Sequence, residues 1–183
     1  MKRIKQTGLD QVGGKAYHLL KMQAAGLPIP DFAVFAFDFF QKSAISADLE
    51  RMEAAYRSGE FDLSQLSQQL QDWVREQFSQ EDLTAAENWI HQEFSQKDCC
   101  FAVRSSATIE DGKASSFAGQ FESQLNVKPE GLKEAIQATL LSLYQESALS
   151  YLFEQGLSLE QAQMICLVQV MQEGDLSGIY FTA

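Results

Sequence analysis

FAVRSSATIEDGKASSFAGQFESQLNV, residues 101–127, decides the fold. With the preceding cysteines it opens as Cys99-Cys100-Phe101-Ala102-Val103, an apolar run long enough for a buried strand. Arg104 places a cation where that strand is expected to end. A series of small and hydroxylated residues follows: Ser105, Ser106, Ala107, Thr108, then Gly112, Ala114, Ser115, Ser116, Ala118 and Gly119. Alternation resumes at Phe121, Ser123, Leu125 and Val127, the pattern of a second strand. The connection, roughly 104–120, is longer than a hairpin requires, and structureless loops of that length are usually functional or disordered. Its lack of bulk lets backbone N–H groups and hydroxyls approach a ligand closely, as a phosphate cradle requires. A mobile surface loop would have the same composition.

Upstream, Val12-Gly13-Gly14-Lys15 introduces a helix with Ala16, Leu19, Leu20 and Ala24 at helical spacing. Gly26 suits a left-handed position after its last turn, and Pro28 blocks continuation. Lys15 in the first turn opposes the helix dipole, at a cost of a few tenths of a kcal/mol. Beside two glycines it suits a phosphate, although a solvated surface lysine fits the same pattern. The motif is not a Walker A loop, because GxxxxGK[ST] is absent. Residues 32–36 read as a strand, with a helix starting near Phe37 or Asp38. From Ala47 to Gln96 the pattern is helical and amphipathic, with Leu63, Leu66, Leu70, Trp73 and Val74 on one face. Leu83, Ala86, Ile90 and Phe94 form a further such face.

Downstream, Pro129 opens a helix carrying Leu132, Ile136, Leu140, Leu143 and Tyr144, and a second helix over about 147–155 ends at Gly156. Ile165-Cys166-Leu167-Val168 is a continuous apolar run, so its strand is expected to be buried on both faces. Glu173-Gly174-Asp175 would turn the chain into a partner strand, Ser177 to Phe181.

The 183 residues suffice for one packed domain or a large lobe, and 45% hydrophobic with 21% charged residues excludes a disordered chain. A net charge of −11 with no basic stripe argues against nucleic acid as a partner. An anionic ligand must therefore be held by local cations and backbone dipoles against an unfavourable overall field. Cys99, Cys100 and Cys166 form no CxxC pattern and read as reduced thiols. Neither a signal peptide nor an apolar run of membrane-spanning length is visible, so no membrane association and a cytoplasmic location are expected.

Three blocks stand in order: VGGKAYHLLKMQAAGLPIPDFAVF at 12–35, the 101–127 stretch, and LVQVMQEGDLSGIYFT at 167–182. Together they resemble the nucleotide-binding N-terminal domain of the phosphoenolpyruvate synthase and pyruvate phosphate dikinase family. Rifampicin phosphotransferases and, more distantly, glucan water dikinases belong to the same family. The resemblance implies an α/β (α+β) fold, an ATP-grasp-like N-terminal lobe whose mixed sheet has flanking helices and a helical middle segment. Residues 1–183 would be the first lobe. The second lobe, the phosphohistidine domain and the barrel that binds phosphoenolpyruvate or pyruvate are expected outside it.

By the same resemblance the cofactors are ATP and Mg²⁺, the metal ligands lying outside this chain. Lys15 and Arg104 would be catalytic cations contacting the phosphates. Thr108 and the loop through Ser116 and Gly119 would form a lid, and Gln169 and Met171, with backbone groups of their strand, would line the adenine site. Glu110 and Asp111 would orient the loop or Arg104. Ser147 stands where the family often carries an arginine. The intact enzyme would convert ATP, pyruvate and water into AMP, phosphoenolpyruvate and phosphate through a phosphohistidine, this chain alone being inactive. Pyruvate or another acceptor would be reached only through the other domains. The alternatives are a phosphotransferase with rifampicin or a glucan as acceptor, and a non-catalytic nucleotide-binding or regulatory fragment.

Overall fold

In the computed structural model the chain is described at residues 2–4, 9–36, 43–77, 88, 92, 99–107, 109, 121, 123–172, 174 and 178. In chain order the elements begin with β1 (Lys2–Ile4), α1 (Leu9–Ala24), β2 (Phe32–Ala36), α2 (Ser43–Arg57) and α3 (Leu63–Gln77). Strands β3 (Phe101–Ala107) and β4 (Ser123–Val127) follow, then α4 (Leu132–Leu141), α5 (Glu146–Glu154) and β5 (Met164–Val170). The strands form one sheet in the order β1-β2-β5-β3-β4, and all four described pairings are antiparallel.

Helix boundaries follow local chemistry. Helix α1 closes with Gly26 at φ 71°, its N–H donating to the Gln23 carbonyl (3.0 Å) while the Leu27 N–H reaches the Met22 carbonyl (3.0 Å). This paired closure satisfies carbonyls the helix leaves open. Helix α3 starts with a reciprocal cap. The Gln65 N–H donates to Asp62 Oδ1 (2.8 Å), and the Asp62 N–H donates to Gln65 Oε1 (3.0 Å).

Period-2 alternation sends the side chains of β2 and β5 to two different cores. On one face, Phe32 and Val34 of β2 meet Ile165 and Leu167 of β5 under Val12 and Ala16 of α1. On the other, Ala33, Phe35, Phe101, Val103, Cys166 and Val168 pack in one cluster with residues of α2, α3, α4 and α5. The predicted α3 stripe is part of that cluster: Leu66, Leu70, Trp73 and Val74 are buried, and Leu63 packs half-buried against it. Each such side chain contributes about 1.5–3 kcal/mol on burial. The continuous run in β5 has the same origin, since helices cover the sheet on both sides where β5 lies between β2 and β3.

The α/β architecture with flanking helices and a helical middle matches expectation, with three corrections. The expected mixed sheet is antiparallel at every described pairing; β2 and β5 become neighbours after the chain has passed through α2 to α5, and run in opposite directions. Arg104 does not end its strand. It is the fourth of seven residues in β3, which pairs through Ser105, Ser106 and Ala107 with Cys166, Ile165 and Met164. Leu125, expected to alternate inward with Ser123 and Val127, is 53% exposed. The pairing shifts between Phe101↔Val127 and Val103↔Gln124, so β4 carries one extra residue, and Asn126 takes a left-handed φ of 57° there. A one-residue slip exchanges the faces of a strand. The expected helix start at Phe37 or Asp38, the face residues Leu83, Ala86, Ile90 and Phe94, and the expected strand at 177–181 apart from Gly178 lie outside the described residues.

Candidate functional site

Three of the expected site residues fall on one side of the sheet. Alternation along β3 puts Ala102, Arg104 and Ser106 on the face covered by α1, opposite Phe101, Val103, Ser105 and Ala107. Register then defines rows across β2, β5 and β3 on that face: Ala36–Ile165–Ser106, Val34–Leu167–Arg104 and Phe32–Gln169–Ala102. Arg104 and Gln169 are thus diagonal neighbours, about 7–8 Å apart along the backbone surface. Lys15 belongs to α1 on the same side and is exposed.

The helix carrying Lys15 is tied to β3 by one hydroxyl. Ser106, fully buried, donates from Oγ to the Val12 carbonyl (2.7 Å) and accepts from the Ala16 N–H (3.3 Å). Between those two residues α1 is broken at Gly13, with φ 67° and ψ 166°. That conformation is essentially restricted to glycine. A Cβ at Gly13 would lie 2.7 Å from both the Ala107 carbonyl oxygen and Ser106 Oγ. The helix therefore restarts at the Gly-Gly-Lys motif, against the C-terminal half of β3, two residues or about 7 Å along the strand from Arg104.

Arg104 is half-buried, and its Nε is buried with no hydrogen-bond partner among the described residues. An unpaired donor on a cation is costly to bury. An oxyanion at this face would satisfy it. Gln169 and Met171 are also half-buried. The backbone donors near them are spent within the sheet: the Val170 N–H goes to the Asp31 carbonyl and the Met171 N–H to the Cys100 carbonyl, both at 2.8 Å. These two N–H groups, part of the expected adenine contact, are therefore already engaged within the protein. Thr108, Ser116 and Gly119, with Glu110 and Asp111, lie outside the described residues. Ser147 is exposed on α5, a helix that packs on α3 rather than on the Arg104 face.

Ser106 and Gly13 are what sequence reasoning missed in this region. The serine sits in a polar run that resembles a loop, although a helix restarting on V-G-G-K with no side chain to cap it signals that a cap comes from elsewhere. A cleft of about 610 Å³ lies between α2 and α3, lined by Arg51, Met52, Ala55, Ser58, Phe61 and Gln69. None of the expected site residues lines it. Among the described residues no three His, Cys, Asp or Glu side chains gather as a metal site.

Residues 9–183 match the family described as the pyruvate phosphate dikinase AMP/ATP-binding domain. The chain belongs to that family. The chain has relatives among several enzymes. A phosphoenolpyruvate synthase of Escherichia coli is 33% identical over 188 residues, 95% of this chain and 24% of the relative. A rifampicin phosphotransferase of Streptomyces sviceus is 30% identical over 190 residues, 100% of this chain and 22% of the relative. A probable phosphoenolpyruvate synthase of Methanocaldococcus jannaschii is 29% identical over 184 residues, 95% of this chain and 16% of the relative. The chain thus spans less than a quarter of the length of these relatives, and its sheet with helices on both faces fits an ATP-grasp-like lobe.

Proposed function

We propose that this chain is the ATP-binding part of a phosphoenolpyruvate synthase-like dikinase, holding the nucleotide on the α1 face of its sheet. The observation that carries the reading is the buried Nε of Arg104, without a partner among the described residues, on the same face as the Gly-Gly-Lys restart of α1. Arg104 offers a planar fork for two phosphate oxygens, and Lys15 a mobile point charge. Phosphoryl transfer needs charge neutralisation and positioning more than a protein nucleophile, which suits two cations of these types. Gln169, diagonal to Arg104, and Met171 would take the base, and Thr108, Ser116 and Gly119 would close over the phosphates. Bound Mg²⁺ would neutralise phosphate charge, with ligands supplied from outside this chain.

In the intact enzyme ATP, pyruvate and water would yield AMP, phosphoenolpyruvate and phosphate through a phosphohistidine on another domain. The rifampicin phosphotransferase relative supports a second acceptor class for the same nucleotide site. Calorimetric titration of the 183-residue chain with Mg-ATP tests the reading. Saturable binding is expected, weakened about tenfold or more by Lys15→Ala and by Arg104→Ala, the range for lost hydrogen bonds to charged groups. Binding that both substitutions leave unchanged would remove this face from consideration.

A further inference from the structure

A helix leaves its first N–H groups without internal partners, and the residue before its first turn normally supplies an oxygen to the second or third of them. The part of α1 that carries Lys15 restarts after Gly13, which has no side chain to do this. Counted from Gly13, the third residue is Ala16, and its N–H donates to Ser106 Oγ. The same hydroxyl donates its proton to the Val12 carbonyl, on the other side of the break. One atom of β3 thus holds both flanks of the kink, in the place where a capping side chain would sit. Gly13 makes this possible because any Cβ there would lie 2.7 Å from that oxygen.

We infer that Ser106 is a positioning residue, a helix cap supplied from another element, which sets Lys15 relative to Arg104. The inference rests on the nucleotide reading above. Arg104 and Ser106 share one strand face, and Lys15 precedes the residue whose N–H Ser106 binds, so the two cations are linked through a single buried hydroxyl. Nothing in the geometry has Ser106 touching a ligand, since its oxygen is buried and engaged on both sides. Its effect must therefore pass through Lys15.

A double-mutant cycle on the 183-residue chain with Mg-ATP tests this. Ser106→Ala is expected to weaken binding about fivefold, the size of a lost cap expressed as an affinity. In a Lys15→Met background, titrated to millimolar nucleotide, the same change is expected to weaken binding by less than about twofold. Ser106→Cys, close in volume but weaker in hydrogen bonding, is expected to fall between parent and alanine and serves if Ser106→Ala does not fold. Hydrogen exchange at the Ala16 amide is expected to speed up in both variants. Equal weakening in the two backgrounds, or no weakening in the parent, overturns the positioning role while leaving the nucleotide site standing. A parent chain that binds no Mg-ATP overturns both.

Discussion

At Gly13 two independent constraints coincide. Its φ of 67° with ψ of 166° lies in a region open essentially only to glycine, and a Cβ would collide with a backbone carbonyl of β3 that has no rotamer to yield. Gly59 provides a contrast, having φ 82° but nothing within 4 Å of an added Cβ. Gly59→Ala should cost only the left-handed backbone penalty, about 1–2 kcal/mol. Gly13→Ala adds overpacking against Ser106 and Ala107 and should cost about 2–4 kcal/mol. Urea unfolding of the two variants checks this, and equal losses would mean that the contact with β3 is not tight in solution. The glycine pair is visible in the sequence, but the reason for the first glycine is not, because it depends on a strand some ninety residues away. The same holds for Arg104. Its cation type points to an anion, whereas its buried Nε, without a partner among the described residues, becomes visible only once β3 lies beneath α1.

Elements whose pattern comes from their own burial were legible. The α3 stripe, the β2 strand at 32–36 and the two-sided run in β5 follow from periodicity because a simple apolar face or a fully covered strand leaves a direct trace. The second half of β3 was not legible, since Ser105 and Ser106 are polar yet buried, at 1% and 0% exposure. Pairing with β5, and for Ser106 hydrogen bonds to α1, overrides what their composition suggests. Strand β4 was legible as a strand but not in its phase, because the extra residue at Asn126 reverses the faces before it. This makes Asn126 the element's sensitive position. Asn126→Val places a β-branched residue at positive φ and should destabilise by about 1–2 kcal/mol, whereas Asn126→Gly should be neutral or slightly stabilising. If denaturant midpoints shift alike for both variants, the left-handed geometry does not set the strand's register.

For the whole molecule, the two faces of the sheet divide the work. The α1 face carries the cations proposed to meet phosphate, while the opposite face packs against α2 to α5 and holds most of the buried apolar side chains. That larger core also encloses two ionisable groups, the Tyr144 phenol and the Cys166 thiol, both pushed well above their ordinary range by burial. The Cys166 thiol donates to the Ile136 carbonyl (3.7 Å), a contact that a thiolate would lose. In the unfolded chain they titrate near about 8.5 for cysteine and about 10 for tyrosine. Their folded values being raised, the stability they contribute is fully present only below the unfolded values. It is lost as pH rises, because the unfolded chain releases protons that the folded chain retains. Each group can lower stability by at most about 1.4 kcal/mol per pH unit beyond its unfolded value. Urea unfolding between pH 8 and pH 10.5 should therefore show falling stability. The decisive quantity is the difference between parent and Cys166→Ala. The variant should be less stable at pH 8, from the cavity and the lost hydrogen bond, but should lose stability less steeply between pH 8.5 and 10. Parallel slopes would show that Cys166 does not retain its proton in the folded core.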